Sequence, residues 1–369
     1  MNKQAHSTFR TPSLLLRPSD VGTFKNLVEV EKEKFPVLVS SMQHVKNSEW
    51  QNRTAVTTFI LLGFGNVEDL NILLFLLFLA IYIVILSGNL LIFVLVMVEQ
   101  HLHTPMYFFL ANLAFLEFCY TSTILPRMLA SFVTRDKTIS LLGCILQMHF
   151  FTTLAATECY LLAAMSYDRY LAICKPLHYA TLMNERMCIL LVSVSCIIGL
   201  LLITILTCLV SQLNFCNGYI IDHFFCDFTP IVRLSCSDTQ VVETAAFITS
   251  SIGILPTFLI TVASYVFIIT TILKIPSITG RQKAFSTCSS HLTVVSIFYG
   301  SLIFVYVLPT TETFKDLNKV FSFLYTILTP MANPFIYSLR NKEVRSSLRK
   351  IVCQFWRFSV TQKKLCICD

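Results

Sequence analysis

Glu117 and Glu158 are carboxylates set deep within apolar runs of the chain. A charge at mid-bilayer costs about 2.5 kcal/mol or more, so such acids survive only beside polar partners. Asn89 and Asn333 are the amides placed to share a polar interior with them. Two close carboxylates do not both ionise cheaply without a cation. The chemistry on offer is therefore a bound sodium ion or a shared proton; the plain alternative is protonated acids acting as interhelical hydrogen bonds. A second constellation, Asp168-Arg169-Tyr170, puts a cation beside an acid at the end of an apolar run. That arginine can pair with its neighbour or swing to other helices; the plain alternative is snorkelling at a membrane boundary. Asn333-Pro334 breaks a third run, because proline removes a backbone donor, and reads as a hinge or as a merely structural kink.

The elements that must position these groups are apolar and long. The chain has 369 residues, 55% hydrophobic and only 13% charged. A soluble domain carries about a quarter charged residues, so the deficit points to lipid as solvent. Net charge is +7, and no Lys/Arg block with interleaved aromatics occurs, which excludes nucleic-acid binding. A spanning helix needs about 20 apolar residues, and backbone groups in lipid must pair internally. Seven stretches qualify: Asn71–Val98, Tyr107–Leu129, Gly143–Ile173, Cys188–Leu209, Glu243–Leu273, Ala284–Leu308 and Lys319–Leu339. The expected fold is an all-α membrane protein, a seven-transmembrane helix bundle.

Loop charges orient it. One set of loops and the C-terminal segment holds Arg169, Lys175, Arg186, Lys274, Arg281, Lys283, Arg340, Lys342, Arg345, Arg349 and Lys350. The other set holds Arg127, Arg135, Lys137, Arg233, Lys315 and Lys319. The positive-inside bias places the N-terminus outside and the C-terminus inside. Residues 1–50 lack the apolar core of a signal peptide, Ser13–Leu16 being too short, so the first span serves as its own insertion signal. Asn52-Arg53-Thr54 is a glycosylation sequon on the outer side. Of 14 cysteines, Cys144, Cys216, Cys226 and Cys236 face the oxidising side; four cysteines allow three pairings, and spacing does not choose among them.

Four longer motifs carry a resemblance: Pro105-Met106-Tyr107-Phe108-Phe109-Leu110, Met165-Ser166-Tyr167-Asp168-Arg169-Tyr170-Leu171-Ala172-Ile173-Cys174, Lys283-Ala284-Phe285-Ser286-Thr287-Cys288-Ser289-Ser290-His291 and Pro330-Met331-Ala332-Asn333-Pro334-Phe335-Ile336-Tyr337-Ser338-Leu339-Arg340-Asn341. In order and spacing they resemble the odorant (olfactory) receptors among rhodopsin-like G-protein-coupled receptors, over roughly residues 50–350. The resemblance implies a multi-pass plasma-membrane receptor that couples to a stimulatory, olfactory-type G protein and raises cyclic AMP. It implies disulfides Cys144–Cys226 and Cys216–Cys236, a sodium-type site at Glu117 with Glu158, and no cofactor otherwise. It places the ligand among the third, fifth, sixth and seventh spans, at Met148, Phe151, Thr152, Ala155, Tyr299, Leu302, Ile303 and Tyr306. These positions follow i, i+3, i+4 spacing on each helix. The outer halves of these spans lack Lys and Arg, and Phe151 stands where amine receptors keep an Asp, so a neutral, volatile-sized ligand is expected. The switch set is Asp168, Arg169, Tyr170, Tyr265, Asn333, Pro334 and Tyr337, with Arg169 held by Asp168 at rest and engaging Tyr265 and Tyr337 when active. Arg281-Gln282-Lys283 offers no acid at the base of the sixth span.

Departures are the first 49 residues, an atypical extension before the receptor domain 50–340, where Met42 makes an ordinary start, and Cys196 where the family usually has Trp. Loss of that ring would be expected to loosen packing between helices. The tail 341–369 begins with a basic amphipathic stretch and carries Cys353 as a lipidation candidate. Competing readings are a receptor of the same fold in a non-olfactory tissue, a channel or transporter, an opsin and an intramembrane enzyme. No internal repeat supports transport, no lysine lies mid-span in the seventh stretch for retinal, and no Gly-x-Ser-x-Gly or His-Glu-x-x-His supports hydrolysis.

Overall fold

The computed structural model describes residues 56–64, 70–216, 219–308, 314–340 and 343–349, with some helical side chains, including Tyr337, outside the described set. Asn52, Met42 and Cys353 lie outside it as well. In chain order the elements are β1 (Thr58–Leu61), α1 (Asn71–Val98), α2 (Pro105–Thr134), β2 (Thr138–Ser140), α3 (Leu141–Cys174), α4 (Pro176–Leu182), α5 (Glu185–Ser211), β3 (Ile220–Ile221), α6 (Phe228–Val232), α7 (Gln240–Leu273), α8 (Ile278–Leu302), α9 (Lys315–Phe323) and α10 (Thr329–Arg340). Residues 343–349 form a last short helix.

Helices occupy all seven predicted stretches. Four of them, α1, α2, α5 and α7, are long and apolar enough to cross a membrane. Several starts have a local cause. Pro105 opens α2, where its missing N–H would be unpaired anyway. Ser140 Oγ accepts from Gly143 N at α3, Asn184 Oδ1 from Met187 N at α5, and Ser277 Oγ from Gly280 N at α8. The sixth and seventh stretches are not plain α-helix. Ile303–Val307 continues α8, and Leu324–Leu328 joins α9 to α10, each as a π-helical turn. Such turns carry one extra residue and concentrate at functional sites.

α3 lies at the centre, packed on α2, α5 and α7; α10 closes against α1 and α8. Two glycines permit the tightest approaches. A Cβ on Gly199 of α5 would stand 2.7 Å from Thr157 Oγ1 of α3, and one on Gly88 of α1 would stand 2.8 Å from Pro334 Cβ of α10. α5 buries only a narrow stripe, including Ser195, Gly199 and Ile203. Cys196 is exposed and faces away from the bundle. This departure from the usual Trp therefore sits on an exposed face of α5 and not among its buried residues.

A small sheet accompanies the helices. One end of the bundle carries a three-stranded sheet in the order β2–β1–β3. β1 runs antiparallel to β2, pairing Phe59 with Ile139, and parallel to β3, pairing Leu61 with Ile221. Phe59 is fully buried beneath it, edge-on to Phe215. The same end holds both disulfides, Cys144–Cys226 and Cys216–Cys236, with Cα separations of 5.4 and 5.7 Å. The loop after α5 is thereby pinned to the top of α3 and folded back across the bundle.

Candidate functional site

Beneath that loop lies an apolar chamber of about 70 Å3 between α3, α5, α7 and α8. Thr152, Ala155, Cys159, Ile203, Gly253, Leu302 and Tyr306 line it, with Phe228 from α6 above. No charged residue faces it. Thr152 Oγ1 is buried without a hydrogen-bond partner, so a polar atom points into an otherwise oily space. Four of the eight expected ligand residues meet here: Thr152, Ala155, Leu302 and Tyr306. The other four do not. Met148 packs with the disulfide cluster. Phe151 is buried between Tyr120, Phe225 and Tyr325, with ring centroids 5.1, 4.7 and 6.0 Å away. Tyr299 donates to the Cys159 carbonyl at 2.7 Å, and Ile303 packs on the main core. The chamber is walled by the fourth span, through Leu202, Ile203 and Leu206, and not by the expected seventh.

A polar chain roofs the chamber. Tyr306 Oη donates to Asp227 Oδ1 at 2.9 Å and meets Tyr325 Oη at 2.7 Å. Tyr120 Oη donates to the Tyr325 carbonyl at 2.8 Å. Asp227 also caps α6 by accepting from Phe228 N at 2.8 Å. Burial pushes its carboxyl up to about 6, against the pull of the Phe228 amide and the Tyr306 hydroxyl. Beyond Asp227 opens an outer chamber of about 220 Å3, lined by Asp222, His223, Arg233 and Lys319 among others. Lys319 Nζ pairs with Asp222 Oδ1 at 2.5 Å. Burial holds the His223 imidazole down at about 3, hence neutral. Sequence reasoning missed Asp227, Tyr325 and Tyr120. The available signal was a lone acid adjacent to Cys226, a residue that a disulfide would fix in place.

Deeper in the bundle, Asn333 Nδ2 donates to Glu117 Oε1, and Asn89 Nδ2 donates to the Pro330 carbonyl at 3.2 Å. Glu117 Oε2, both oxygens of Glu158 and Asn333 Oδ1 are buried without hydrogen-bond partners. Glu158 and Glu117 are near enough to interact electrostatically. The expected ion or proton group is thus drawn together around orphaned oxygens, a donor set suited to a hard cation.

At the opposite end, Asp168 Oδ1 accepts from Tyr179 Oη of α4 at 2.8 Å. Among the described residues no ion pair joins Asp168 to Arg169. The Asp168 carboxylate is shared: Tyr179 bonds it directly, and Arg169 lies close enough to act on it electrostatically. Tyr265 Oη is bonded to His291 Nδ1 at 2.6 Å, linking α7 to α8. Arg169 lies close enough to act electrostatically on His291. Tyr170 packs against Phe267, with ring centroids 5.7 Å apart. In the sequence His291 stands out only as the end of the Lys283–His291 motif, an imidazole opening an apolar run.

Comparison with known proteins decides the family. A family model described as "Olfactory receptor" matches residues 78–355. The chain belongs to the olfactory receptor family. Olfactory receptor 6E1 of Mus musculus is 50% identical over 311 residues, covering 84% of this chain and 99% of that protein. Olfactory receptor 6F1 of Homo sapiens is 51% identical over 299 residues, 81% and 97% of the two chains. Olfactory receptor 287 of Rattus norvegicus is 50% identical over 305 residues, 83% and 98%. This olfactory receptor is accordingly an odorant-type G-protein-coupled receptor of a membrane, and not an enzyme.

Proposed function

We propose that this receptor binds a small, neutral, mostly apolar odorant in the chamber under Tyr306 and activates a stimulatory, olfactory-type G protein to raise cyclic AMP. The observation that carries the ligand class is the Thr152 hydroxyl, unpartnered in a chamber with no charged wall. A buried polar group without a partner costs about 1–3 kcal/mol, so a ligand supplying one hydrogen bond recovers that cost while its apolar body fills the rest. A carboxylate or ammonium ligand would find no counter-charge there.

The proposed arrangement is seven spans in the plasma membrane, with the disulfide end outside and Asp168-Arg169-Tyr170 at the cytoplasmic face. The sulfur bridges favour that orientation, since the external side is oxidising. Asn52 would then be glycosylated, ahead of the receptor domain 50–340, with residues 1–49 as an extension and 341–369 as the cytoplasmic tail. Glu117, Glu158, Asn89 and Asn333 would hold a sodium ion or a shared proton that relaxes on activation. Ligand entry would shift Tyr306 against Tyr325, and the seventh helix would carry that shift through Asn333-Pro334 to Arg169, Tyr265 and Tyr337.

A cyclic AMP reporter screened against a broad odorant panel tests this. Thr152→Val keeps the shape of the side chain and removes the hydroxyl. It should weaken agonists that accept a hydrogen bond by about tenfold while sparing pure hydrocarbons. Arg169→Ala should reach the surface and fail to signal. A panel whose only strong agonists are short-chain acids or amines would refute the ligand class, and normal signalling by Arg169→Ala would refute the switch.

A further inference from the structure

A groove of about 410 Å3 separates the last turns of α7 from the first turns of α8. Its walls are Ile269, Ile272, Leu273 and Phe285, and Arg281 with Gln282 stands at its mouth. Leu273 and Phe285 are more than half exposed, so the groove opens away from the bundle. Arg281 folds back over the connecting loop, donating to the Ile275 carbonyl at 3.2 Å. The ten residues Lys274–Lys283 contain three cations and no acid. Among the described residues, neither Lys274 nor Arg281 meets a carboxylate. The start of α8 adds the positive end of a 25-residue helix. Among the described residues no carboxylate balances this charge.

We propose that this groove holds an anionic glycerophospholipid, its headgroup on Arg281 and one acyl chain along Ile269, Leu273 and Phe285. The orientation proposed above sets the groove at the cytoplasmic leaflet, where anionic lipids concentrate. A free anion would satisfy Arg281 but leave the apolar walls bare. A zwitterionic lipid would cover the walls but leave the cations unbalanced. Only an amphiphile with net negative charge meets both. The floor of the groove gives the contact a consequence. Ile272 is buried there with Ile268, Tyr265 and Cys288, the cluster that contains the Tyr265–His291 bond. A lipid seated here braces α7 and α8 directly behind that bond.

The inference depends on the membrane orientation but not on any odorant, so its test uses neither agonist nor G protein. Full-length receptor is equilibrated in mixed micelles with equal phosphatidylserine and phosphatidylcholine, and retained lipid is counted by native mass spectrometry. The receptor should retain phosphatidylserine over phosphatidylcholine about fivefold, the contribution of one cation near an anionic surface. Arg281→Gln should bring that ratio close to one, Arg281→Lys should restore it, and Arg186→Gln, a cation on another helix, should leave it unchanged. Millimolar inorganic phosphate or glycerophosphoserine should not displace the lipid. Should Arg281→Gln fail to fold, Phe285→Asn on the exposed wall carries the same test by lowering retention. An unchanged preference in Arg281→Gln, or displacement by free phosphate, overturns the proposal.

Discussion

Replacing Asp227 with Asn should flatten part of the receptor's pH-dependent stability. The carboxyl titrates near 6 in the folded protein, against 3.8 for an ordinary aspartate. That gap of about two units corresponds to on the order of 3 kcal/mol. Its sign follows from which state holds the proton more tightly. Between pH 4 and 6 the folded protein binds the Asp227 proton and the unfolded chain does not, so the group stabilises the fold below pH 4 and loses that contribution as pH rises through 6. His223 acts in the other direction. Its folded value near 3 lies below the ordinary 6.5, so its contribution is present above 6.5 and lost as pH falls. The two slopes oppose, and only the difference between wild type and variant isolates Asp227. Asn retains an acceptor for Phe228 N and for Tyr306 Oη. The stability of Asp227→Asn relative to wild type should therefore rise by about 3 kcal/mol from pH 4 to pH 7, roughly 5 °C in Tm. The assay is thermal unfolding of purified receptor in detergent across that range. A difference curve that stays flat would refute the claim that this carboxyl is buried at the cost described.

Two packing predictions follow. Gly199→Val would drive a side chain into Thr157 Oγ1 and to within 3.2 Å of the Thr153 carbonyl, and should destabilise by about 1–3 kcal/mol, read as a lower Tm and reduced surface display. Cys196→Trp, which restores the residue usual in the family, lies on an exposed face; it should change stability by less than about 0.5 kcal/mol, and a gain of several degrees in Tm would show that the face is packed after all.

What the sequence made legible was what depends on local composition. Apolar runs of 20 or more residues marked every long helix, because lipid leaves a backbone no other economical form. The ends were less legible: α2 runs to Thr134, five residues past the expected Leu129, since Ser131 and Thr134 bond back to their own helix. The sheet was not legible, because Thr58–Leu61 becomes a strand only by pairing with residues some 80 and 160 positions away. Glu117, Glu158 and Asn333 were legible as a group, since carboxylates in oil need company. Phe151 and Tyr299 stand apart from the chamber for a related reason. Helical spacing says which side chains share a face, but not that Tyr120 and Phe225 already occupy the space in front of Phe151. Asp227, Tyr306 and Tyr325 met only through the fold of a loop whose course the disulfides set.

The paired π turns have a further consequence for how this receptor tolerates change. Tyr306 and Tyr325 each sit within one, and their hydroxyls touch. A π turn differs from an α turn by a single additional residue, and each residue advances a helix by about 100°. Deleting one residue from either turn would leave a more regular helix at the loss of one mostly apolar side chain, and it would rotate one phenol a quarter-turn or more away from the other. The reading frame of these two segments therefore acts as a phase key: point substitutions nearby leave the hydroxyls facing, whereas a one-codon deletion unlocks them.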